Sequence, residues 1–343
     1  MLKYIGGGIV ILLLIGGIFG WGKYQEVFSP NVPENLENEL LQIPSNSSFH
    51  DLTQLLLEKK IVNDTSSFSW VADQMKFKKP VMRSGQFKIK PGMSNVDLIR
   101  LLRNGKQTPV KVIINNERFV GEIISKIALL VEPDSLEFMS LVNDTSYLSS
   151  MGYQPETFIS MFIPNTYEFY WNVKPKEFFA RLKKENEKFW NKNNRLQKAE
   201  NQGLNKEEAY TLASIIQRET NSKPELPIIA GLYLNRLEKG MLLQADPTVV
   251  FANKEFGLRR VLNKHLKKVS PYNTYLNKGL PPGPISMASI AAIDGVLNRK
   301  KHDYIFFCAK PDNSGTHAFA KTLAGHNANA RKFHRWLNKR GIR

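Results

Sequence analysis

A carboxylate on the apolar face of a predicted helix is the feature that most constrains this chain. Asn205 and Glu208 form a capping-box pattern, which predicts that a helix begins there. The apolar face of this helix consists of Leu212, Ile215 and Ile216. Glu219 is the next position on that face, where a carboxylate must be paired, desolvated or directed into a cleft. Glu219 is therefore either a helix-end carboxylate, in water or paired with Arg218 or Arg236, or an acid that faces a substrate.

A second helix is predicted directly after Glu219. Ser222 and Glu225 repeat the capping-box pattern, and Gly240 is placed to end the helix. Glu219 is thus expected in the last turn of one buried helix, where the chain reverses direction. Farther on, Asp246 precedes a proline, which predicts a third helix with Asp246 as its cap.

The composition limits the classes of ligand. The chain has 343 residues, enough for two domains beyond a targeting segment, and a formal net charge of +17. Such a surface favours polyanions, whether nucleic acid, anionic lipid or an acidic polymer. Cys308 is the only cysteine, so neither an intramolecular disulfide nor a cysteine metal cluster is possible, and its apolar surroundings favour a core position. The six histidines lack a metal-binding spacing, so we expect no metal and no cofactor.

The amino-terminal segment is apolar. Residues 4–22 carry no charge, and this length is close to the roughly twenty residues that cross a bilayer. A cleaved signal peptide is the alternative, but the stretch is long for one and lacks a clear cleavage site. We predict a single-pass inner-membrane anchor with residues 1–3 in the cytoplasm and the body outside it, on the periplasmic or extracytoplasmic side.

The rest of the chain divides into a linker and two predicted domains. Residues 23–40 form the linker, 41–110 a small module in which short strands alternate with helices, and 111–343 a mainly helical domain. In this last domain, residues 303–309 and 317–319 predict a small β-hairpin. The expected fold class is α+β.

Polar and aromatic residues are concentrated after the central helices, at residues 270–275 and in the proline-rich segment 279–285. The chain has no nucleophile elbow and no glycine-rich phosphate loop after a strand. Aromatic faces, amides and hydroxyls together are typical of surfaces that bind sugars.

Four blocks resemble the endolytic murein transglycosylase family, also called YceG-like. These are residues 213–220 (ASIIQRET), 235–248 (NRLEKGMLLQADPT), 272–275 (YNTY) and 279–285 (GLPPGPI). Asn165 is a departure, since relatives usually carry aspartate there. The resemblance implies a LysM-like module over 41–110 and a lyase that cuts peptidoglycan between N-acetylmuramic acid and N-acetylglucosamine. Glu219 would be its sole acid and base, and the products would end in 1,6-anhydro rings.

The candidate sugar-binding residues are Gln244, Asp246, Thr248, Tyr272, Asn273, Thr274 and Tyr275. Each could instead be a structural hydrogen-bonding group, and helix capping is the alternative for Asp246. The implied partners are nascent glycan strands, the inner membrane and the synthases that polymerise the wall.

Three other functions are weighed against this one. A hydrolase would use Asp246 or another carboxylate as a partner for Glu219. A membrane-tethered scaffold would bind the wall without catalysis. A nucleic-acid binder is suggested by net charge alone, and export from the cytoplasm argues against it.

Overall fold

The computed structural model describes the backbone of residues 2–258 and 260–340, and the side chains from residue 13 onward within these ranges. It separates into two compact units. The first contains the chain up to Lys111 together with Leu130–Pro133 and Glu168–Lys174, and the second contains the remainder.

The first unit contains a two-stranded sheet and four helices: α1 (Leu2–Phe28), β1 (Leu40–Ile43), α2 (Phe49–Glu58), α3 (Thr65–Gln74), β2 (Gly85–Lys88) and α4 (Asn95–Asn104). Strands β1 and β2 are antiparallel, with Leu41 opposite Phe87. Both side chains are fully buried, and the helices cover them with apolar residues such as Phe68 and Leu98. The predicted alternation of strands and helices is confirmed, while the LysM-like character of this module stays a prediction.

Helix α1 contains the predicted membrane anchor. Within the described residues, no helix combines the length and apolar character needed to cross a membrane. The side chains of residues 4–12, which make up almost half of the predicted span, lie outside the described part of the chain. The anchor over residues 4–22 therefore stays a prediction.

The second unit is mainly helical. Its α-helices are α5 (Val120–Ala128), α6 (Ser135–Val142), α7 (Thr145–Ser150), α8 (Pro175–Asn191), α9 (Arg195–Glu200), α10 (Lys206–Glu219), α11 (Leu226–Glu238), α12 (Asp246–Asn253), α13 (Asn263–Leu266), α14 (Ile290–Leu297) and α15 (Leu323–Lys339). Short 3-10 helices cover Phe158–Met161, Lys192–Asn194 and Lys223–Glu225. Strand β3 (Val110–Ile114) pairs with β4 (Asn165–Phe169), and each of these two strands has three of its five residues in this unit. Strand β5 (Phe306–Ala309) pairs with β6 (His317–Ala320). The predicted hairpin at β5 and β6 is confirmed, with Phe307 opposite Phe319.

Helices α10, α11 and α14 pack together and form the core of the second unit. Their contact faces carry side chains that are fully excluded from solvent, such as Ile215, Ile229 and Ile293. Gly295 lets α14 approach α11 closely, because a Cβ at this position would lie 2.9 Å from the Cβ of Leu226. This tight packing fixes the carboxyl-terminal end of α10, where Glu219 lies.

Two of the predicted helix caps are wrong. Ser222 does not cap with its side chain, and its backbone N–H donates to Thr220 Oγ1 at 3.0 Å. Glu225 is buried and accepts hydrogen bonds from the His317 region, so it is not available for a capping box. Helix α12 begins as predicted, but Ala245 holds the cap position and Asp246 is the first helical residue. The side chain of Asp246 is thereby left for a tertiary contact.

Candidate active site

Glu219 is the last residue of helix α10. The predicted capping box starts this helix, with Asn205 Oδ1 accepting from the Glu208 N–H and Glu208 Oε2 accepting from the Asn205 N–H, both at 2.8 Å. The helix has fourteen residues and ends at Glu219, because Thr220 has extended backbone angles. The apolar face of α10 is buried in the core, whereas Glu219 is only partly accessible.

A buried tyrosine is the hydrogen-bond partner of Glu219. Tyr233 of α11 donates its hydroxyl to Glu219 Oε1 at 2.7 Å, and its side chain is only 1% exposed. The alternative of an ion pair with Arg218 or Arg236 is wrong. Arg218 donates to Ser286 Oγ, and Arg236 donates to backbone carbonyls, including that of Ile305 at 2.7 Å. Among the described residues, Glu219 therefore has no cationic partner that would hold it ionised.

The environment of Glu219 raises its pKa to about 7. Burial is the main cause, because a low-dielectric site disfavours the charged carboxylate. The hydrogen bond from Tyr233 acts in the opposite direction, and the negative charge of Asp246 adds to the increase. A carboxyl group with this pKa can hold a proton near neutral pH and can also release it.

Two cavities meet at Glu219. The larger has a volume of about 630 Å³ and contacts α12 and the loop after it, including Val250, Phe251 and Phe256. The smaller has a volume of about 400 Å³ and contacts the β5–β6 hairpin. Glu219 and Asp246 line both cavities. An extended ligand could therefore pass Glu219 with parts of its length on either side.

Three predicted binding residues line the smaller cavity: Gln244, Asp246 and Tyr275. Tyr275 donates its hydroxyl to Asp246 Oδ1 at 2.6 Å. Gln244 is exposed and has a left-handed backbone, with φ of 51°, and its side-chain Oε1 accepts from Arg236 Nη1 at 3.3 Å. These three polar side chains can contact a ligand next to Glu219.

Three other predicted binding residues lie below the surface. Thr248, Asn273 and Thr274 are at most 1% exposed. The hydroxyls of Thr248 and Thr274 lie 2.8 Å apart, and Thr274 Oγ1 also accepts from the Ala245 N–H. Asn273 donates to the carbonyls of Leu266 and Lys268. In this structure they present no surface to a sugar, because their polar groups are occupied in holding the loop at 270–275 against the start of α12.

Tyr272 has a similar supporting position. Its ring packs on Phe251 with 4.7 Å between centroids, and Phe251 lines the larger cavity. Burial raises the pKa of the Tyr272 hydroxyl to about 12, so it stays a neutral phenol. Tyr272 therefore supports the wall of the cavity from behind.

A hydrogen-bond network that the sequence does not predict fixes the residue after Glu219. Thr220 Oγ1 donates to Glu225 Oε2 at 2.9 Å, and the backbone N–H of His317 donates to Glu225 Oε1 at 2.6 Å. His317 Nδ1 lies 3.0 Å from Glu225 Oε2. Burial raises the pKa of Glu225, but these hydrogen bonds together lower it below its usual value. The buried carboxylate thus connects the end of α10 to strand β6, and no local pattern in the sequence indicates this contact.

No group of three or more histidine, cysteine or acidic side chains in the described part of the chain could hold a metal ion. Cys308 lies on β5 at the smaller cavity, partly buried, and burial raises the pKa of its thiol. A thiol with a raised pKa is a poor nucleophile at neutral pH.

The chain is similar to known proteins over most of its length. The chain is 27% identical to the endolytic murein transglycosylase of Bacillus subtilis, and the alignment covers 94% of this chain and 91% of that protein. It is 25% identical to the endolytic murein transglycosylase of Streptococcus pneumoniae, of which it spans only 62%.

A crystal structure of a YceG-like protein from Listeria monocytogenes is similar, with a TM-score of 0.54 and 28% sequence identity. The match covers 84% of this chain and 97% of that one. Residues 41–332 match the YceG-like family, a range that contains Glu219 and most of both units. The chain belongs to the YceG-like family.

Proposed function

We propose that this protein is an endolytic transglycosylase of peptidoglycan that cleaves between N-acetylmuramic acid and N-acetylglucosamine. The observation that carries the proposal is the position of Glu219, a carboxyl group with a pKa of about 7 where two cavities meet. The names of the relatives from B. subtilis and S. pneumoniae supply the substrate class.

The hydrogen bond from Tyr233 indicates which oxygen of Glu219 carries the proton. Tyr233 donates to Oε1, so this atom acts as an acceptor. In a neutral carboxyl the carbonyl oxygen is the stronger acceptor, so with Oε1 accepting from Tyr233 the proton belongs on Oε2. In the reaction Oε2 donates that proton to the glycosidic oxygen as the bond from C1 of the muramoyl residue breaks.

The second step uses the carboxylate that the first step leaves. The C6 hydroxyl of the same muramoyl residue attacks C1, and Glu219 accepts the hydroxyl proton as the 1,6-anhydro ring closes. The nucleophile belongs to the substrate, so no water has to be positioned by a second acid. Tyr233 stabilises the charged intermediate state of Glu219, because a hydrogen bond to a carboxylate is stronger than one to a neutral carboxyl.

The two cavities support cleavage inside a strand. A glycan that extends through both places its reacting bond beside Glu219, with sugars on either side. Gln244, Asp246 and Tyr275 provide amide, carboxylate and phenol groups for the sugars in the smaller cavity. With the membrane anchor predicted at residues 4–22, the site would act on strands as wall synthases extend them.

A hydrolase is the second candidate. Asp246 lines both cavities together with Glu219. Glycoside hydrolases typically have a pair of carboxyl groups, one on each side of the glycosidic bond. In the present structure Asp246 accepts from Tyr275 at 2.6 Å, which gives its charge a structural partner. The identity of the product ends separates the two reactions.

Turnover of purified glycan by the native protein and by the Glu219→Gln variant tests the proposal. We expect the variant to lose at least roughly 10³-fold in rate, because glutamine can neither donate nor recover the proton. Asn205→Ser serves as the control. It changes the residue that caps α10 at the end opposite Glu219, and serine can still cap the helix. Equal turnover by the native protein and the Glu219→Gln variant would contradict the proposal, and absence of turnover by the native protein would favour a wall-binding scaffold.

A further inference from the structure

Three arginines line the larger cavity: Arg118, Arg218 and Arg260. They come from separate parts of the second unit, namely the loop before α5, the last turn of α10 and the loop after α12. Arg218 and Arg260 are exposed, and Arg118 is half-buried. The wall of this cavity beside Glu219 is therefore cationic.

None of the three arginines has a carboxylate within ion-pair distance among the described residues. The charge of Glu122 acts on Arg218, but Glu122 Oε2 accepts from the backbone N–H groups of Arg118 and Phe119 at 2.8 and 3.0 Å. Arg218 donates from Nε to Ser286 Oγ, and the Arg118 guanidinium stacks on Phe256 at 3.9 Å from the ring centroid. The planar terminal N–H groups of Arg118 and Arg218 thus have no acceptor in the described part of the protein.

The two guanidinium groups also act on each other. Burial lowers the pKa of Arg218, and the positive charge of Arg118 lowers it further. Neighbouring like charges repel each other, and a bound anion would offset this repulsion. Guanidinium groups bind planar anions in two-pronged geometry, which makes carboxylates and phosphates their preferred ligands.

The proposed substrate has a fixed place for such an anion. The sugar rings of the glycan are uncharged, and its negative charges lie on the lactyl group of the muramoyl residue or on the peptide attached to it. We propose that Arg118, Arg218 and Arg260 bind a carboxylate on the muramoyl substituent of the strand. Phe251, beside them in the larger cavity, offers an apolar face for the sugar or peptide carbons.

This inference rests on the proposed function for the identity of the substrate. A lipid-linked strand also carries a pyrophosphate, which arginines can bind equally well. The pyrophosphate occurs once, at the end of a strand, whereas a muramoyl carboxylate recurs with each disaccharide. A site that cuts inside strands meets the recurring carboxylate, so the proposed function favours this source of the charge.

The binding of uncross-linked strands to the Glu219→Gln variant tests the inference without depending on cleavage. Three strands are compared: strands with free carboxylates, strands whose carboxylates are converted to amides, and strands freed of the lipid pyrophosphate. We expect amidation to weaken binding roughly ten- to hundredfold, because charge-assisted hydrogen bonds are lost. Removal of the pyrophosphate should leave the affinity unchanged.

Substitution of the arginines, measured on both the carboxylate strand and the amidated strand, completes a double-mutant cycle. Arg118→Gln and Arg218→Gln, each added to the Glu219→Gln variant, should weaken binding of the carboxylate strand by a similar factor. Neither should weaken binding of the amidated strand further. Arg118→Lys should restore part of the affinity. Arg181→Gln is the matched control, because Arg181 is an exposed arginine on α8 that pairs with Glu185.

Equal binding of carboxylate and amidated strands would overturn the inference, as would a loss for the arginine variants that is the same on both. A loss confined to strands without pyrophosphate would assign the site to phosphate and also overturn it. These results leave the proposed function intact, since turnover by the native protein is measured separately. Conversely, a strand that binds through its carboxylates but is never cut would contradict only the proposed function.

Discussion

The hydroxyl of Tyr233 donates a hydrogen bond of 2.7 Å to Glu219 Oε1 across the interface of helices α10 and α11. The two residues are 14 positions apart, and the close packing of the helices brings them together. This bond opposes the effect of burial on the carboxyl group and stabilises its ionised form. Tyr233 therefore controls the pH range in which Glu219 can donate a proton.

Replacement of Tyr233 by phenylalanine should extend activity to higher pH. Without the hydrogen bond the pKa of Glu219 rises above its native value of about 7, so the protonated acid persists farther into the alkaline range. The maximal rate should fall roughly tenfold, because the carboxylate that accepts the C6 proton loses a stabilising donor. A pH profile of kcat/KM measures the shift. An unmoved alkaline limb would show that Tyr233 does not act on Glu219.

Replacement of Asp246 by asparagine should move the alkaline limb of the pH profile of kcat/KM to lower pH. The charge of Asp246 raises the pKa of Glu219, so its removal lowers that pKa and activity declines at lower pH than in the native protein. Asparagine Oδ1 can still accept from Tyr275, which preserves the local contact. At pH values below this alkaline limb, the variant should keep a rate within about tenfold of the native rate. A loss of several orders of magnitude at every pH would identify Asp246 as a hydrolytic base.

The stability of the fold should depend on pH through Glu219. Its folded pKa of about 7 lies above the ordinary value of 4.5, so the folded state binds more protons than the unfolded state between these two values. The contribution of Glu219 to the free energy of unfolding is therefore largest below the ordinary pKa. It is lost as pH rises through the folded pKa. By this linkage the Glu219→Gln variant should be more stable than the native protein at about pH 8, by up to about 3 kcal/mol. Denaturant unfolding of both proteins at several pH values measures the difference, which should disappear toward about pH 4.

Thr220 should be sensitive to loss of its hydroxyl rather than to a change of shape. Thr220→Val leaves the Ser222 N–H without its acceptor and removes a donor from buried Glu225, at a cost of about 1–3 kcal/mol in stability. Activity should also fall, because the chain directly after Glu219 is no longer fixed. Thr220→Ser keeps the hydroxyl and is the control, with activity and stability near native. Equal losses in both variants would assign the effect to packing of the methyl group.

Local patterns in the sequence predict those parts of the site that depend on residues close together in the chain. The capping box of Asn205 and Glu208 and the apolar face of α10 placed Glu219 at a helix end, and the structure has it there. The β5–β6 hairpin was predicted because alternating residues and a tight turn lie close together in the chain.

Contacts over long sequence distances were not predictable in this way. His317 reaches Glu225 across 92 positions, and nothing in the periodicity of either segment indicates it. The same limit applies to Asn273 and Thr274, where a polar cluster in a loop is compatible with either ligand binding or internal hydrogen bonds. Burial decides between these roles, and burial depends on the packing of the whole unit.

The chemical nature of the product ends tests the central claim most directly. Purified glycan is cut by the native protein in water labelled with heavy oxygen, and the products are weighed by mass spectrometry. Because the nucleophile is the C6 hydroxyl of the muramoyl residue, we expect 1,6-anhydro ends, lighter by one water than hydrolysed ends and free of the label. Reducing ends that carry the heavy oxygen would contradict this mechanism and establish a hydrolase.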